Sequence, residues 1–537
     1  MAATVQAQAP PRGIPYVRDV SPPGWVERMP VWASTGALLV VLIGISAYLR
    51  SHYITGQFWE DEAITTGIAS HSLTAIPGVL RHDGSPPLFY LLLHVWIRLF
   101  GSSEAATHSL PLLFGLLTIP VGMWAGWSLF GRRAGVYAAV LFAFSTFLTA
   151  YAQETRMYEL MGLLGLVATA SFIHGFVYRR RRYLILFSVA EALMLYTHAW
   201  GMFFGAGAVI ALIAVWRACP VPERRALVRD GVMAFVGAGV LFLPWVPNFL
   251  YQASHTGAPW APPPRFGAPV LLSRDLLGGD RITVALVLAI VIGLAPLFTR
   301  ARRRSREAAQ MWALIVLPFA TLLLAWLASQ ITPAFISRYF APILASILLL
   351  AAWGAARSGI VGFVAILLSL VFVVHLSSYA PQNKSDMRGV AGEMAPLLHQ
   401  GDLVVVSQPD STPLAWYYLP TGLRYATTLG SVSDPRYMNW VYALKRLRAA
   451  QPTATFSPVL ASLRAGQQLL YVRPLTEGAQ NWKASWTQLV RRRSAQWGAL
   501  LQEEVGRGVL REVAWAPHNY RGASILADSA VLYERVK

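Results

Sequence analysis

Long apolar runs alternate with short polar segments from about Val31 to Leu376, and beyond Ala380 the alternation stops. A helix needs about 20 residues to cross a hydrocarbon core of roughly 30 Å. Runs near Val31–Leu49, Leu110–Phe130, Ala134–Ala152, Met157–Tyr178, Tyr183–Tyr196 and Gly201–Trp216 are of that order. So are Val232–Leu250, Ile282–Phe298, Met311–Ala328, Phe340–Ala356 and Ile360–Leu376. The pattern therefore predicts a mainly α, polytopic membrane protein with about eleven transmembrane helices. The first run is too long for the apolar core of a signal peptide and reads as a retained helix. Residues 1–30, rich in Ala, Pro and Arg without periodicity, read as a disordered cytoplasmic tail.

Two segments break the alternation. Residues 51–108 form a long first loop, with moderately apolar pieces at Ala63–Leu80 and Leu88–Phe100. Pro86-Pro87 cannot lie inside a helix, so the pieces read as two amphipathic helices at the membrane interface. Residues 380–537 have the composition of a soluble domain. Leu403–Ser407, Gln468–Val472 and Ala530–Glu534 are strand candidates, while Asp386–His399 and Asn481–Glu504 are helix candidates. That mixture predicts an α/β domain after a transmembrane domain spanning 31–379.

Composition agrees: 55% of the 537 residues are hydrophobic and only 13% charged, against roughly 25% charged in soluble proteins. Lys and Arg (45) outnumber Asp and Glu (26), which raises the question of nucleic acid. Much of the excess sits in Arg132-Arg133, Arg179–Arg182, Arg217–Arg229 and Arg300–Arg306, on alternate loops. By the positive-inside rule these loops are cytoplasmic, so the excess reports topology and not nucleic acid. An odd number of spans then places the C-terminal domain outside the cytoplasmic membrane. The single Cys219 excludes an internal disulfide framework.

The outward loops hold the polar residues that look out of place. Glu60, Asp61, Glu62, Arg81, His82 and Asp83 lie in the first; Gln153, Glu154, Arg156 and Tyr158 in the second; His198 in a third; Arg338 and Tyr339 in the last. Ionisable groups at a membrane edge are functional candidates. A carboxylate beside an apolar wall can serve as a general base, and arginines can hold a departing phosphate through charge-assisted hydrogen bonds. Together they suggest attack by an acceptor hydroxyl on a sugar carried by a membrane lipid. Glu60 reads as loop surface, and scattered histidines make no metal site. A carboxylate pair can hold Mg²⁺ or Mn²⁺, so a divalent cation stays an expectation without a full ligand set.

The motifs Trp59-x-Asp61-Glu62-Ala63, His82-Asp83-Gly84-Ser85-Pro86-Pro87-Leu88, Tyr151-x-Gln153-Glu154-x-Arg156-Met157-Tyr158 and Arg338-Tyr339-Phe340-x-Pro342 resemble one family. Leu99-Phe100-Gly101-x-Ser103-Glu104 and Phe130-Gly131-Arg132-Arg133 also match. It is the bacterial branch of the protein O-mannosyltransferase superfamily (families 39 and 83), C-type (GT-C) glycosyltransferases that include aminoarabinose transferases. The resemblance covers residues 50–345. It implies a polyprenyl-phosphate sugar donor, a glycan, lipid or protein acceptor, and inversion at the anomeric carbon. It makes Asp61 the general base with Glu62 beside it, Glu154 and Arg156 residues of the cavity wall, and Arg338 a contact to the lipid phosphate; Tyr158, His82 and Tyr339 are further substrate candidates from their loops. One departure is Thr107-His108, where related sequences often carry Arg. The alternatives are a polymerase or ligase using a diphosphate-linked oligosaccharide, or a lipid-linked sugar transporter. A transporter would place its ionisable and helix-breaking residues at mid-membrane, and here most acids lie at the edges.

Overall fold

The computed structural model describes residues 31–298, 305–376, 384–475, 483–517 and 527–537. The expected tail, residues 1–30, lies outside the described residues. Helix α1 (Val31–Arg50) is followed by three helices in the first loop, α2 (Glu60–Ala69), α3 (Ile76–Asp83) and α4 (Leu88–Phe100). The bundle continues with α5 (Glu104–Phe130), α6 (Arg132–Ala143), α7 (Thr146–Tyr151), α8 (Tyr158–Phe172), α9 (Arg182–Thr197) and α10 (Gly201–Ala218). Then come α11 (Arg224–Phe242), α12 (Val246–His255), α13 (Ala268–Leu277), α14 (Asp280–Leu294), α15 (Arg306–Ile331), α16 (Ala341–Arg357) and α17 (Ile360–Leu376).

Among the described residues, eight helical stretches are long and apolar enough to cross a membrane. This is a multi-pass membrane protein. The three expected spans outside the eight have local reasons. The 134–152 run breaks between α6 and α7, where the Ser145 hydroxyl caps a new helix by accepting from Leu148 N at 3.3 Å. Helices α9 and α17 have only 16 and 17 residues. Helices α8 and α16 form the centre: 89% and 83% of their apolar stretches are buried, against 17% for α1.

The first loop is more deeply packed than its pattern suggests. The 63–80 piece is not one interfacial helix: α2 ends at Ala69, and all residues from Glu62 to Ala69 are buried. Gly84 closes α3 at φ +103°, a left-handed conformation that glycine adopts without strain, and Pro86-Pro87 precede α4 as expected.

The C-terminal part is the α/β domain that the sequence predicts. It contains α18 (Met387–Met394), β1 (Leu403–Val406), α19 (Thr412–Tyr418), β2 (Arg424–Thr427), β3 (Gly430–Val432), α20 (Ala443–Ala449) and α21 (Pro452–Ala461). It ends with β4 (Gln468–Leu475), α22 (Ser485–Gly506), β5 (Leu510–Ala516) and β6 (Ala527–Arg535). The sheet order is β3-β2-β1-β4-β6-β5. Strand β1 pairs in parallel with β2 and β4, and the remaining pairs are antiparallel. Buried on both faces, β1 reads as the continuous run Leu-Val-Val-Val. Phe58 and Ala63 belong to the same apolar cluster as Val404, Leu414 and Leu532. The domain is thus packed directly onto the first loop. Gly67 marks the closest approach, because a Cβ there would sit 2.0 Å from the Arg436 carbonyl oxygen.

Candidate active site

Three consecutive acids open α2. Negative charge in a first helical turn is favoured by the helix dipole, and the Glu62 carboxylate reaches back to accept from Trp59 N at 3.3 Å. The turn of about 100° per residue then sends the acids to different environments.

The Asp61 side chain, 24% exposed, faces two guanidinium groups. Arg338 Nη2 lies 3.2 Å and Arg156 Nη2 3.7 Å from its Oδ2. Arg156 also donates to the Asp61 carbonyl at 3.2 Å and to Thr65 Oγ1 at 2.8 Å. The Arg338 guanidinium sits 5.2 Å from the Trp59 ring centre and 5.9 Å from that of Tyr158. Arginines and aromatic rings from α2, the 151–158 segment and the turn before α16 thus converge on one carboxylate.

Glu62 is fully buried. Its Oε1 accepts from Lys384 Nζ at 2.8 Å and Thr155 N at 2.8 Å, and His108 Nε2 lies 2.7 Å away. Burial alone would raise its pKa, but Lys384 and His108 outweigh burial and bring it down to about 2. The neighbouring Glu154 goes the other way. Burial lifts it to about 7, against the opposing pull of Lys384, and its Oε2 has no hydrogen-bond partner. Burial, with Arg156 and Arg338 nearby, holds His198 down at about 3, so the imidazole is neutral.

Asp61, Arg156, Arg338 and His198 border a cavity of about 1020 Å³ between the helical bundle and the C-terminal domain. Trp59, Glu60, Asp61, Arg156, Arg338 and Tyr339 line it, as do the exposed apolar side chains Met202, Leu271 and Ile331. Buried polar atoms without a protein partner cluster here: Trp59 Nε1, Glu60 Oε2, Arg156 Nε and Arg338 Nε. Buried polar groups are normally satisfied, so such a cluster suits a polar ligand or solvent.

Residues 84–250 match the family model of dolichyl-phosphate-mannose-protein mannosyltransferase. Among solved structures, apo ArnT from Cupriavidus metallidurans superposes with a TM-score of 0.56 at 16% identity, over 82% of this chain and 93% of that one. The same protein bound to undecaprenyl phosphate gives a TM-score of 0.56 at 13% identity, over 92% and 97%. No curated protein matches the sequence. Over most of its length the chain is thus similar in fold to ArnT, and over residues 84–250 it is similar in sequence to that mannosyltransferase family.

The eight residues singled out from sequence divide by position. Asp61, Arg156, Arg338 and Tyr339 line the cavity. Tyr158, 1% exposed, packs behind the two arginines, within 3.4 Å of Arg156. Glu62 and Glu154 lie in the layer behind Asp61. His82 stands apart: it is not among the cavity-lining residues, its Nδ1 lies 3.0 Å from the Gly78 carbonyl, and its own carbonyl accepts from Trp440 N at 2.9 Å. Glu60, read from sequence as loop surface, instead lines the cavity because the C-terminal domain covers that side of α2.

Several residues escape sequence reasoning. Lys384 lies 322 positions from Glu62 in a segment without a motif. Asp410, Trp440 and Trp486 bring the C-terminal domain into the cavity wall. The unusual Thr107-His108 pair was the one available signal: His108 holds Glu62, and Thr107 Oγ1 accepts from Thr155 Oγ1 at 2.9 Å. Among the described residues, no three His, Cys, Asp or Glu side chains come together as a metal site.

Proposed function

We propose that this protein transfers a sugar from a polyprenyl-phosphate donor to an acceptor on the outer face of the cytoplasmic membrane, with inversion. The observation that carries the reading is one carboxylate, Asp61, held between Arg338 and Arg156 in a cavity that has exposed apolar side chains along its wall. Arginine forks suit a lipid phosphate, and Met202, Leu271 and Ile331 offer a greasy path for its chain. The ArnT structure with undecaprenyl phosphate, alike in fold, supports a lipid donor of this kind.

In this reading the donor phosphate takes over the guanidinium groups of Arg338 and Arg156 and leaves Asp61 free to face the acceptor. The acceptor oxygen attacks the anomeric carbon as the bond from that carbon to the phosphate oxygen breaks. The phosphate leaves with the electron pair, stabilised by the arginines, and the acceptor proton passes to Asp61. Glu62 is a positioning residue, because its carboxylate is fully occupied within the protein.

Two variants separate these roles. Asp61→Asn keeps the shape and removes the base, so transfer falls by about 100-fold or more while undecaprenyl-phosphate binding persists. Arg338→Ala weakens that binding by about tenfold or more, through loss of a charge-assisted contact. Transfer assays on isolated membranes and lipid titration of purified protein check the pair. Full transfer by the Asp61 variant would overturn the assignment.

A further inference from the structure

The cavity has two chemically different walls. The bundle side carries Arg156 and Arg338 around Asp61. A second side joins the first loop to the C-terminal domain and carries the carboxylates of Glu60 and Asp410, while Asp83 lies nearer Arg156. Beside them lie three indoles. Trp260 and Trp440 have ring centres 4.5 Å apart, and Trp440 and Trp486 5.1 Å apart. Trp486 Nε1 donates to Asp410 Oδ1 at 3.3 Å, and Gln408 Nε2 to Oδ2 at 3.2 Å, so both side-chain partners of Asp410 are neutral. Arg491 also lines the cavity, but among the described contacts no ion pair joins it to these carboxylates. Burial, followed by the nearby charges of Asp410 and Asp61, pushes Glu60 well above the ordinary carboxylate range, while burial lifts Asp410 to about 6.

This wall suits a particular kind of ligand. The half-buried Trp260 ring can pack against the C–H face of a sugar, backed by the buried Trp440 and Trp486 indoles. Buried carboxylates accept hydrogen bonds from hydroxyls, and they repel a second anion brought alongside. The geometry points to an acceptor subsite on this wall for an uncharged, hydroxyl-rich glycan, with Asp410 and the Trp260–Trp440–Trp486 group as its specificity determinants. The assignment rests on the glycosyltransferase reading and gives the C-terminal domain its part in it: the domain supplies the acceptor side, and the bundle supplies the donor side. Phosphorylated or uronate-bearing acceptors are disfavoured beside Asp410, the carboxylate of this wall that is ionised at neutral pH.

The test uses full-length protein in nanodiscs on an array of neutral, phosphorylated and uronate-bearing glycans together with Ser/Thr peptides. Undecaprenyl-phosphate binding is measured in parallel. Neutral glycans should bind at least about tenfold better than anionic ones, and Asp410→Asn should lose about tenfold in glycan binding with its lipid titration unchanged. Thr487→Lys, which places a cation on the same wall at a partly buried position, should narrow the gap between neutral and anionic glycans. The proposal is overturned by a preference for anionic glycans, by binding of peptides alone, by absence of glycan binding, or by an unchanged Asp410→Asn profile. Failure of the wild-type protein to bind undecaprenyl phosphate would instead remove the donor reading, whichever glycans bind.

Discussion

Asp61 and Glu62 share a peptide bond but not an environment. One meets two arginines at the edge of a cavity, with 24% of its side chain exposed; the other is fully enclosed by Lys384, His108 and Thr155 N. A helical turn separates such neighbours by about 100°, which is enough to divide a cavity-facing group from one held within the protein. Sequence reasoning could name the pair but could not apportion it, because the enclosing partners come from positions 108, 155 and 384. Glu154 makes the opposite point. Its carboxyl is raised to about 7 by burial, so folding favours its protonated form. Stability from that group is present below the ordinary carboxyl value and is lost as pH rises through about 7. Glu154→Gln, which mimics the protonated form, should therefore stabilise the protein by about 1–3 kcal/mol at pH ~8 and much less at pH ~5. Thermal unfolding of both proteins in nanodiscs at the two pH values checks this.

At the scale of elements, α2 is the hinge between the two parts of the molecule. Its first turn carries the site, Gly67 lets the Arg436 backbone cross it, and Phe58 just before it accepts a hydrogen bond from Ser385 at 2.6 Å and donates one to Tyr418 OH at 2.9 Å. The segment Lys384–Asp386 then ties this region to the sheet, since Asp386 Oδ1 accepts from Asp528 N. Lys384 also donates to the Gln153 carbonyl at 2.6 Å, so a single ammonium links α2, the 151–158 turn and the C-terminal domain. Removing one partner of a buried ion pair leaves the other uncompensated, at a cost of about 3–5 kcal/mol. Lys384→Met and Glu62→Gln should each lower the thermal midpoint strongly, and the double variant should lose less than the sum. Strict additivity would mean that the two groups do not interact. The pair also depends on acid. Because the Glu62 carboxyl is held near 2, its stabilisation is complete above its ordinary value and fades as pH falls towards about 2. Gly67→Val should displace the Arg436 loop and loosen the domain contact, measured as faster amide exchange over 60–69 and 430–440.

Among the described residues, the arginines at 132–133, 179–182 and 217–229 fall at the opposite ends of the helices from the site. Helix α5 begins at Glu104, which holds Arg388 and Tyr418 of the C-terminal domain at 2.7 and 2.9 Å, and ends beside Arg132-Arg133. The charge rule then predicts that site and domain lie outside the cytoplasm. A reporter enzyme fused after Pro420 should be active only in its extracytoplasmic form, and a cytoplasmic signal there would reverse the topology. What the sequence determined by itself was what short-range patterns encode. Apolar runs of membrane length gave the bundle, loss of those runs beyond Ala380 gave the α/β domain, and spaced Asp-Glu, Pro-Pro-Leu and Gln-Glu-x-Arg motifs marked the loops that matter. Membrane burial and helix period leave a signature within some twenty neighbouring residues. Only the tertiary structure decided which acid faces the cavity, that Lys384 closes the buried network, and that Asp410, Trp440 and Trp486 form its far wall. Those relations join positions hundreds of residues apart through packing and charge compensation, and no local pattern in the chain records them.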